Sequence, residues 1–164
     1  MEAGDVITRT RSANGDKDTV EKLAPTLIDD AALREKLAMT LLRDFGPIDR
    51  HLIIALAEIE THRAREEGGC GDALYALCFM LFWLGNIEDY DVIVTARESN
   101  TDTGAKIDAY MLTMRKAECP ETINRAKHPH VYMAVLDAMH DRQWEDDDDF
   151  HDGVLRYFGL PPTT

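Results

Sequence analysis

Cysteine is scarce in this chain, and its thiols form no recognisable site. The three cysteines, Cys70, Cys78 and Cys119, make an odd set, and their spacing matches no metal-binding pattern. Cys78 falls within an apolar helical segment, where a thiol usually packs as a small hydrophobic group. This cysteine usage favours the reducing environment of the cytosol.

Long hydrophobic runs are also missing. The longest apolar run, residues 73–84, is well short of the roughly 20 residues that a membrane-spanning helix needs. Residues 1–18 contain no apolar core of the length found in signal peptides. We therefore expect a soluble, cytoplasmic protein that does not bind membranes.

Basic residues are heavily outnumbered by acidic ones. The chain has 18 Lys and Arg residues against 31 Asp and Glu, which gives a formal net charge of -13 and a pI near 4.7. Such a surface repels phosphate backbones and anionic lipid head groups, and it attracts basic proteins over a Debye length of roughly 8 Å at physiological salt. The charge predicts a basic protein partner and argues against nucleic acid.

Motifs for catalysis are absent as well. No Ser–His–Asp or Cys–His arrangement occurs in a recognisable nucleophile context, so we expect neither an enzyme nor a cofactor. His128, His130 and His140 raise the alternative of a metal site. However, His128 and His130 straddle a predicted helix start and match no standard ligand pair, and zinc usually takes three or four converging ligands. A structural or solvent-facing role is the expected one.

The residues that are present predict one folded unit. The chain has 164 residues, of which 45% are apolar, enough for a single domain with its own core. Residues 1–28 are rich in small polar and charged residues, and we predict a flexible N-terminal arm there. Residues 29–160 are predicted to form a single α-helical domain, followed by an extended tail at 161–164.

Apolar residues recur every three to four positions across this domain, which is the period of a helix. Helices are predicted over 30–45, 47–67 and 74–84, then from 87, over 107–114, from Pro120, from Pro129 and in a short C-terminal segment before Gly159. Residues 74–84 are apolar on nearly every side, which predicts a buried central helix. The polar loop at 101–104 is expected to cap the next helix rather than to orient a ligand.

No stretch shows the alternation of a strand between turn residues, so the predicted fold class is all-α. The helix lengths indicate antiparallel helix hairpins stacked as a HEAT-like bundle, with about seven helices plus the short C-terminal helix.

Residues 72–114 also carry a family resemblance. They contain WLGNIED, then an amphipathic helix with TAR, then NTDTGAKIDAYML. This stretch resembles a segment of uncharacterised bacterial α-helical proteins with HEAT-like packing, some of which are encoded beside toxins as candidate immunity proteins. The resemblance implies a cytosolic helical protein that acts by binding, and it transfers no functional residue.

The most one-sided charge feature lies near the C-terminus. Residues 137–152 include eight acidic residues and one basic residue, Arg142, so seven of the thirteen net negative charges fall there. Such a run is either a solvated loop that aids solubility or a docking surface for a cationic partner. Aromatic residues border it, as is common at binding hot spots. The candidate partner-binding residues are Asp141, Trp144, Glu145, Asp146, Asp147, Asp148, Asp149, Phe150 and Asp152.

Together these features favour an acidic protein-binding module, in particular an immunity-type inhibitor that neutralises a basic protein toxin. One alternative is a structural or scaffold homo-oligomer, such as a homodimer joined through apolar helix faces. The other is a metal-binding protein or enzyme that uses the C-terminal histidines.

Overall fold

The computed structural model of the protein describes residues 1–113, 129–140 and 146–162. Within these ranges the regular structure is helical and includes no β-strand, which confirms the all-α class. The α-helices are α1 (Ala3–Ser12), α2 (Lys17–Asp29), α3 (Ala31–Leu41), α4 (Arg50–Glu67), α5 (Asp72–Leu84), α6 (Tyr90–Arg97), α7 (Thr101–Lys106), α8 (Pro129–His140) and α9 (Asp147–Tyr157). Short 3-10 turns occupy Pro47–Asp49, Ile87–Asp89 and Ala109–Leu112.

The structure corrects the prediction of a flexible arm at residues 1–28. These residues form α1 and α2, which pack on α3 and α4 respectively. Each helix buries a narrow apolar stripe at helical spacing, and the buried side chains include Val6, Ile7, Val20, Leu23 and Leu27. A surface helix needs only such a stripe, so the largely polar composition of residues 1–28 is compatible with two packed helices.

The turn between α1 and α2 is fitted against the body of the domain. Gly15 has a φ of +66°, and a Cβ at this position would overlap the carbonyl oxygen of Ile48. The same residue is tied to α4, because its carbonyl oxygen lies 2.8 Å from Nδ1 of His51. Both the backbone conformation and the close approach therefore require glycine.

Helix α5 is the central element, as predicted. Nine of its 13 residues are buried, and it packs against α3, α4 and α6. It ends at Gly85 in the left-handed conformation, φ 68°, which also confirms the predicted cap. Although α5 is very apolar, neither it nor any other helix in the described ranges has the length and hydropathy needed to cross a bilayer.

The first six helices pack in two layers. Helix α1 packs on α3 and α3 on α5, while α2 packs on α4 and α4 on α6; contacts of α4 with α3 and α5 join the layers. One arginine–carboxylate pair joins α3 to α4, Arg34–Glu60 at 2.6 Å. Two more join helices to 3-10 turns, at 2.8 Å for Arg11–Asp49 and 2.6 Å for Arg50–Asp89. The description of this packing as HEAT-like stays a prediction.

The helix predicted over 107–114 is wrong in position. The chain instead forms α7, which begins in the segment predicted as a polar loop and continues to Lys106, and then a 3-10 turn. Asn100 and Thr103 cap α7 reciprocally, since each side chain accepts the backbone N–H of the other, at 2.9 and 3.0 Å. The helices predicted from Pro129 and before Gly159 are confirmed as α8 and α9, and the one predicted from Pro120 lies outside the described residues.

Candidate functional site

Aromatic side chains fix α9 against α5. Tyr75, Phe79 and Trp83 follow one another at intervals of four residues and therefore share one face of α5. The ring of Phe150 lies 6.2 Å from that of Phe79, and the ring of His151 lies 3.9 Å from that of Trp83, measured between centroids. Because Phe150 and His151 are both buried, the first turn of α9 is held firmly on the core.

This packing corrects the predicted role of Phe150. Its side chain is fully buried, and its ring also lies 5.5 Å from Phe82 and 4.7 Å from Tyr110. An aromatic residue in that position stabilises the fold and is not available to a partner at the surface. Phe150, one of the two aromatic residues that border the acidic run, is thus a core residue of α9.

Part of the acidic run serves helix formation. The side chain of Asp146 caps α9 by accepting the backbone N–H of Asp149 at 2.8 Å. Asp147 accepts a hydrogen bond from the Tyr110 hydroxyl, also at 2.8 Å, which ties α9 to the 3-10 turn. Both carboxylates lie at the positive end of the helix dipole, where negative charge is stabilising.

Three other carboxylates of the run define the α9 acidic surface: Asp148 and Asp149, which are exposed, and Asp152, which is partly exposed and lies 3.5 Å from Nδ1 of His151. The side chains of Asp148 and Asp149 are exposed and make no hydrogen bond or ion pair within the part of the chain that the structure describes. Asp152 follows one turn later, so it lies on the same face of the helix. Asp141, Trp144 and Glu145 lie outside the described residues.

Of the three histidines proposed as metal ligands, His128, His130 and His140, the structure describes the side chain of His130 alone. His130, on α8, lies 3.1 Å from a carboxylate oxygen of Asp91, whereas His151 stacks on α5. His128 and the side chain of His140 lie outside the described part. Across residues 1–113, 129–140 and 146–162, no group of three or more His, Cys, Asp or Glu residues is placed to hold a metal ion.

The described cysteines, Cys70 and Cys78, lie in surroundings that favour the protonated thiol. Burial raises the pKa of the Cys70 thiol and, more strongly, that of Cys78, which is fully buried in α5. A thiol whose pKa is raised by burial is a poor nucleophile and a poor metal ligand. Cys78 therefore acts as a small hydrophobic group, as its sequence context predicted.

One surface was missed by the sequence analysis. A groove of about 1040 Å³ runs between α2 and α4. It was not predicted because α2 belongs to the segment assigned to the flexible arm. The signal was present, since Val20, Leu23 and Leu27 have helical spacing and Asp16 accepts the backbone N–H of Thr19 at 3.0 Å as an N-cap.

Comparisons with protein-family models, with curated proteins and with solved structures found no match. The resemblance of residues 72–114 to toxin-associated helical proteins therefore stays a prediction.

Proposed function

We propose that the protein is a non-enzymatic binding module that recognises a basic protein through the α9 acidic surface, extended by Asp141, Trp144 and Glu145. In the form that the sequence favours, it is an immunity-type inhibitor and the partner is a toxin. The observation that carries this proposal is the exposure of Asp148 and Asp149, which have no cationic partner in the described chain.

The carboxylates of the acidic run have different roles, and this difference supports a binding function. Helix capping and dipole compensation account for Asp146 and Asp147, but the exposed carboxylates add like charge to the same turn. Repulsion between them is relieved when a cationic surface docks. Charges of this kind mainly raise the association rate and reject wrong partners.

The position of α9 also suits recognition. Its buried face is anchored on α5 through Phe150 and His151, so its exposed carboxylates are presented on a rigid element. Binding surfaces held in this way lose little conformational entropy on association.

Exposed apolar residues give less support to the scaffold alternative. Outside the groove between α2 and α4, the highly exposed large hydrophobic residues of the described part are single residues on different elements: Met1, Ile48, Met133 and Tyr157. Stable homodimers usually bury a continuous apolar face. The exposed carboxylates of α9 are therefore better evidence for a partner-binding surface than these apolar residues are.

The test compares three baits of full length in affinity capture from native lysate. The first is the wild-type chain, and the second carries Asp148→Asn, Asp149→Asn and Asp152→Asn, which spare the cap at Asp146. The third removes three exposed carboxylates elsewhere, through Asp18→Asn, Glu35→Gln and Glu98→Gln, and so has the same net charge as the second.

The partner recovered by the wild-type bait is then titrated against all three proteins at several salt concentrations. We expect the α9 variant alone to bind more weakly and to show a flatter dependence of affinity on salt, because fewer ion pairs form. Equal losses in the second and third baits would assign the effect to bulk charge and refute the proposed site.

A further inference from the structure

The groove between α2 and α4 has an apolar floor. Ala24 of α2 and Ile54, Ala55 and Ile59 of α4 line it, and all four are only half-buried. Ile28, on the same stripe of α2, is 59% exposed. Ala24 and Ile28 lie four residues apart on α2, and Ala55 and Ile59 lie four residues apart on α4 with Ile54 beside them, so the two helices together line an apolar trough that contacts water.

The groove has the length of a helix. Its lining on α4 extends from Arg50 to Glu67, the full length of the helix. At 1.5 Å per residue this corresponds to roughly 25 Å, or about sixteen to seventeen residues of a docked helix. A single side-chain pocket for a small molecule would not have this shape.

Charged residues form the rims of the groove, and its lysine and arginine side chains already form ion pairs within this chain. Each lysine and arginine of the lining pairs with a carboxylate of this chain: Lys17 with Glu21, Arg34 with Glu60, Arg50 with Asp89 and Arg63 with Glu67. Asp29 and Glu58, by contrast, make no ion pair with the described residues. The uncompensated charge of the groove is therefore negative.

An apolar floor between acidic rims favours a ligand that has an apolar face flanked by basic residues. We infer that the groove binds a basic amphipathic helix of a partner protein, with its apolar face on Ile54, Ala55 and Ile59 and its flanking Lys or Arg residues beside Asp29 and Glu58. Apolar burial supplies most of the affinity in such helix-in-groove complexes, and charge fixes the orientation. The groove shares no residue with the α9 acidic surface, so this inference does not rest on the proposed function.

The probe is a fluorescein-labelled synthetic peptide of about sixteen residues, with leucines at i, i+3, i+4 and i+7 spacing and lysines flanking them. Its affinity for the full-length chain is measured by fluorescence anisotropy. A scrambled peptide of the same composition lacks the apolar face, and a second control replaces each lysine by glutamate. We expect both controls to bind at least tenfold more weakly than the probe.

Matched variants locate the site. Ile28→Lys places a charge in the groove at an exposed position, and Met133→Lys does the same on α8, where the wild-type side chain is 50% exposed and lies outside this groove. Because neither side chain is buried, both variants are expected to fold. Ile28→Lys should weaken probe binding at least tenfold, and Met133→Lys should leave it unchanged.

Equal binding of the probe and the scrambled peptide would overturn the inference, and so would equal effects of the two variants. Sedimentation equilibrium of the free protein tests whether a second copy of the chain occupies the groove instead. A wild-type dimer that Ile28→Lys converts to a monomer would mean that a second copy of the chain fills the groove, which contradicts a basic helix as its ligand.

Discussion

Arg34 joins three helices, so its replacement by methionine gives a quantitative test of the packing. Nε of Arg34, on α3, donates to Oε1 of Glu60 on α4 at 2.6 Å. Nη1 donates to the carbonyl oxygens of Leu27 and Ile28 in the last turn of α2, at 2.6 and 2.8 Å. The Arg34 side chain is 2% exposed and that of Glu60 is 9% exposed.

The expected cost of Arg34→Met follows from what it leaves behind. Removing one partner of a buried ion pair typically costs about 3–5 kcal/mol, because the remaining charge stays buried without compensation. Glu60 keeps a contact of 3.3 Å to Arg63, but the Arg63 side chain is 41% exposed and solvent screens this pair. We therefore expect a loss of about 3 kcal/mol, a large part of the roughly 5–15 kcal/mol that stabilises a domain.

Urea unfolding followed by far-UV circular dichroism measures the change in the free energy of unfolding. Lys36→Met is the matched control, because the Lys36–Glu2 pair has the same 2.6 Å separation but side chains 62% and 75% exposed. We expect this control to show no measurable change. The double variant Arg34→Met/Glu60→Met should recover part of the loss, since no charge is then left unpaired. A cost for Arg34→Met no larger than that of Lys36→Met would refute the burial-based reasoning.

Further predictions concern the N-terminal helices, a buried hydroxyl and acid stability. Gly15→Ala is expected to destabilise the protein by more than about 2 kcal/mol, because a steric overlap adds to left-handed strain. Gly68→Ala is the control, because Gly68 has a φ of +78° but open space around it, so this change adds backbone strain without a steric overlap. Equal losses of stability in the two variants would mean that residues 1–28 do not pack as described. Thr61→Val should stabilise by about 1 kcal/mol in thermal unfolding, because the buried Thr61 hydroxyl has no hydrogen-bond partner among the described residues; a loss of stability would contradict this. The hydrogen bond from Lys106 lowers the pKa of Asp72 from its ordinary value. The stabilising effect of this pair is therefore fully present above that ordinary value and is lost as pH falls through the lowered pKa. The stability difference between wild type and Asp72→Asn should therefore shrink on acidification, and a difference independent of pH would exclude this linkage.

The sequence predicted the elements in which a single physical requirement dominates. An apolar run on all sides of a helix can only be buried at the centre, so α5 was correctly placed. Gly85 ends that helix in the left-handed conformation, and Pro129 begins α8, as their backbone preferences predicted.

Elements that depend on tertiary contacts were harder to predict. Helices α1 and α2 have few apolar residues, and their stability comes from packing on α3 and α4. The apolar residues at 107, 110 and 111 have helical spacing, yet they are buried around a 3-10 turn that Asp108 caps through the Tyr110 N–H at 2.9 Å. Periodicity reports which residues are buried more reliably than the form of the backbone.

The acidic run shows the same limit at the candidate site. Composition alone could not separate carboxylates that cap α9 from those left free, because that depends on where the helix begins. It also could not show that Phe150 faces the core, since this follows from the contact of α9 with α5. The groove was missed entirely, since it exists only when α2 packs beside α4.

The footprint of the bound partner on this chain tests the proposed mode of recognition most directly. Hydrogen–deuterium exchange of the full-length protein, with and without the captured partner, reports which backbone amides become protected. We predict added protection across residues 146–152, where the α9 acidic surface lies. Exchange there that is unchanged, with protection confined to other helices, would contradict recognition through α9.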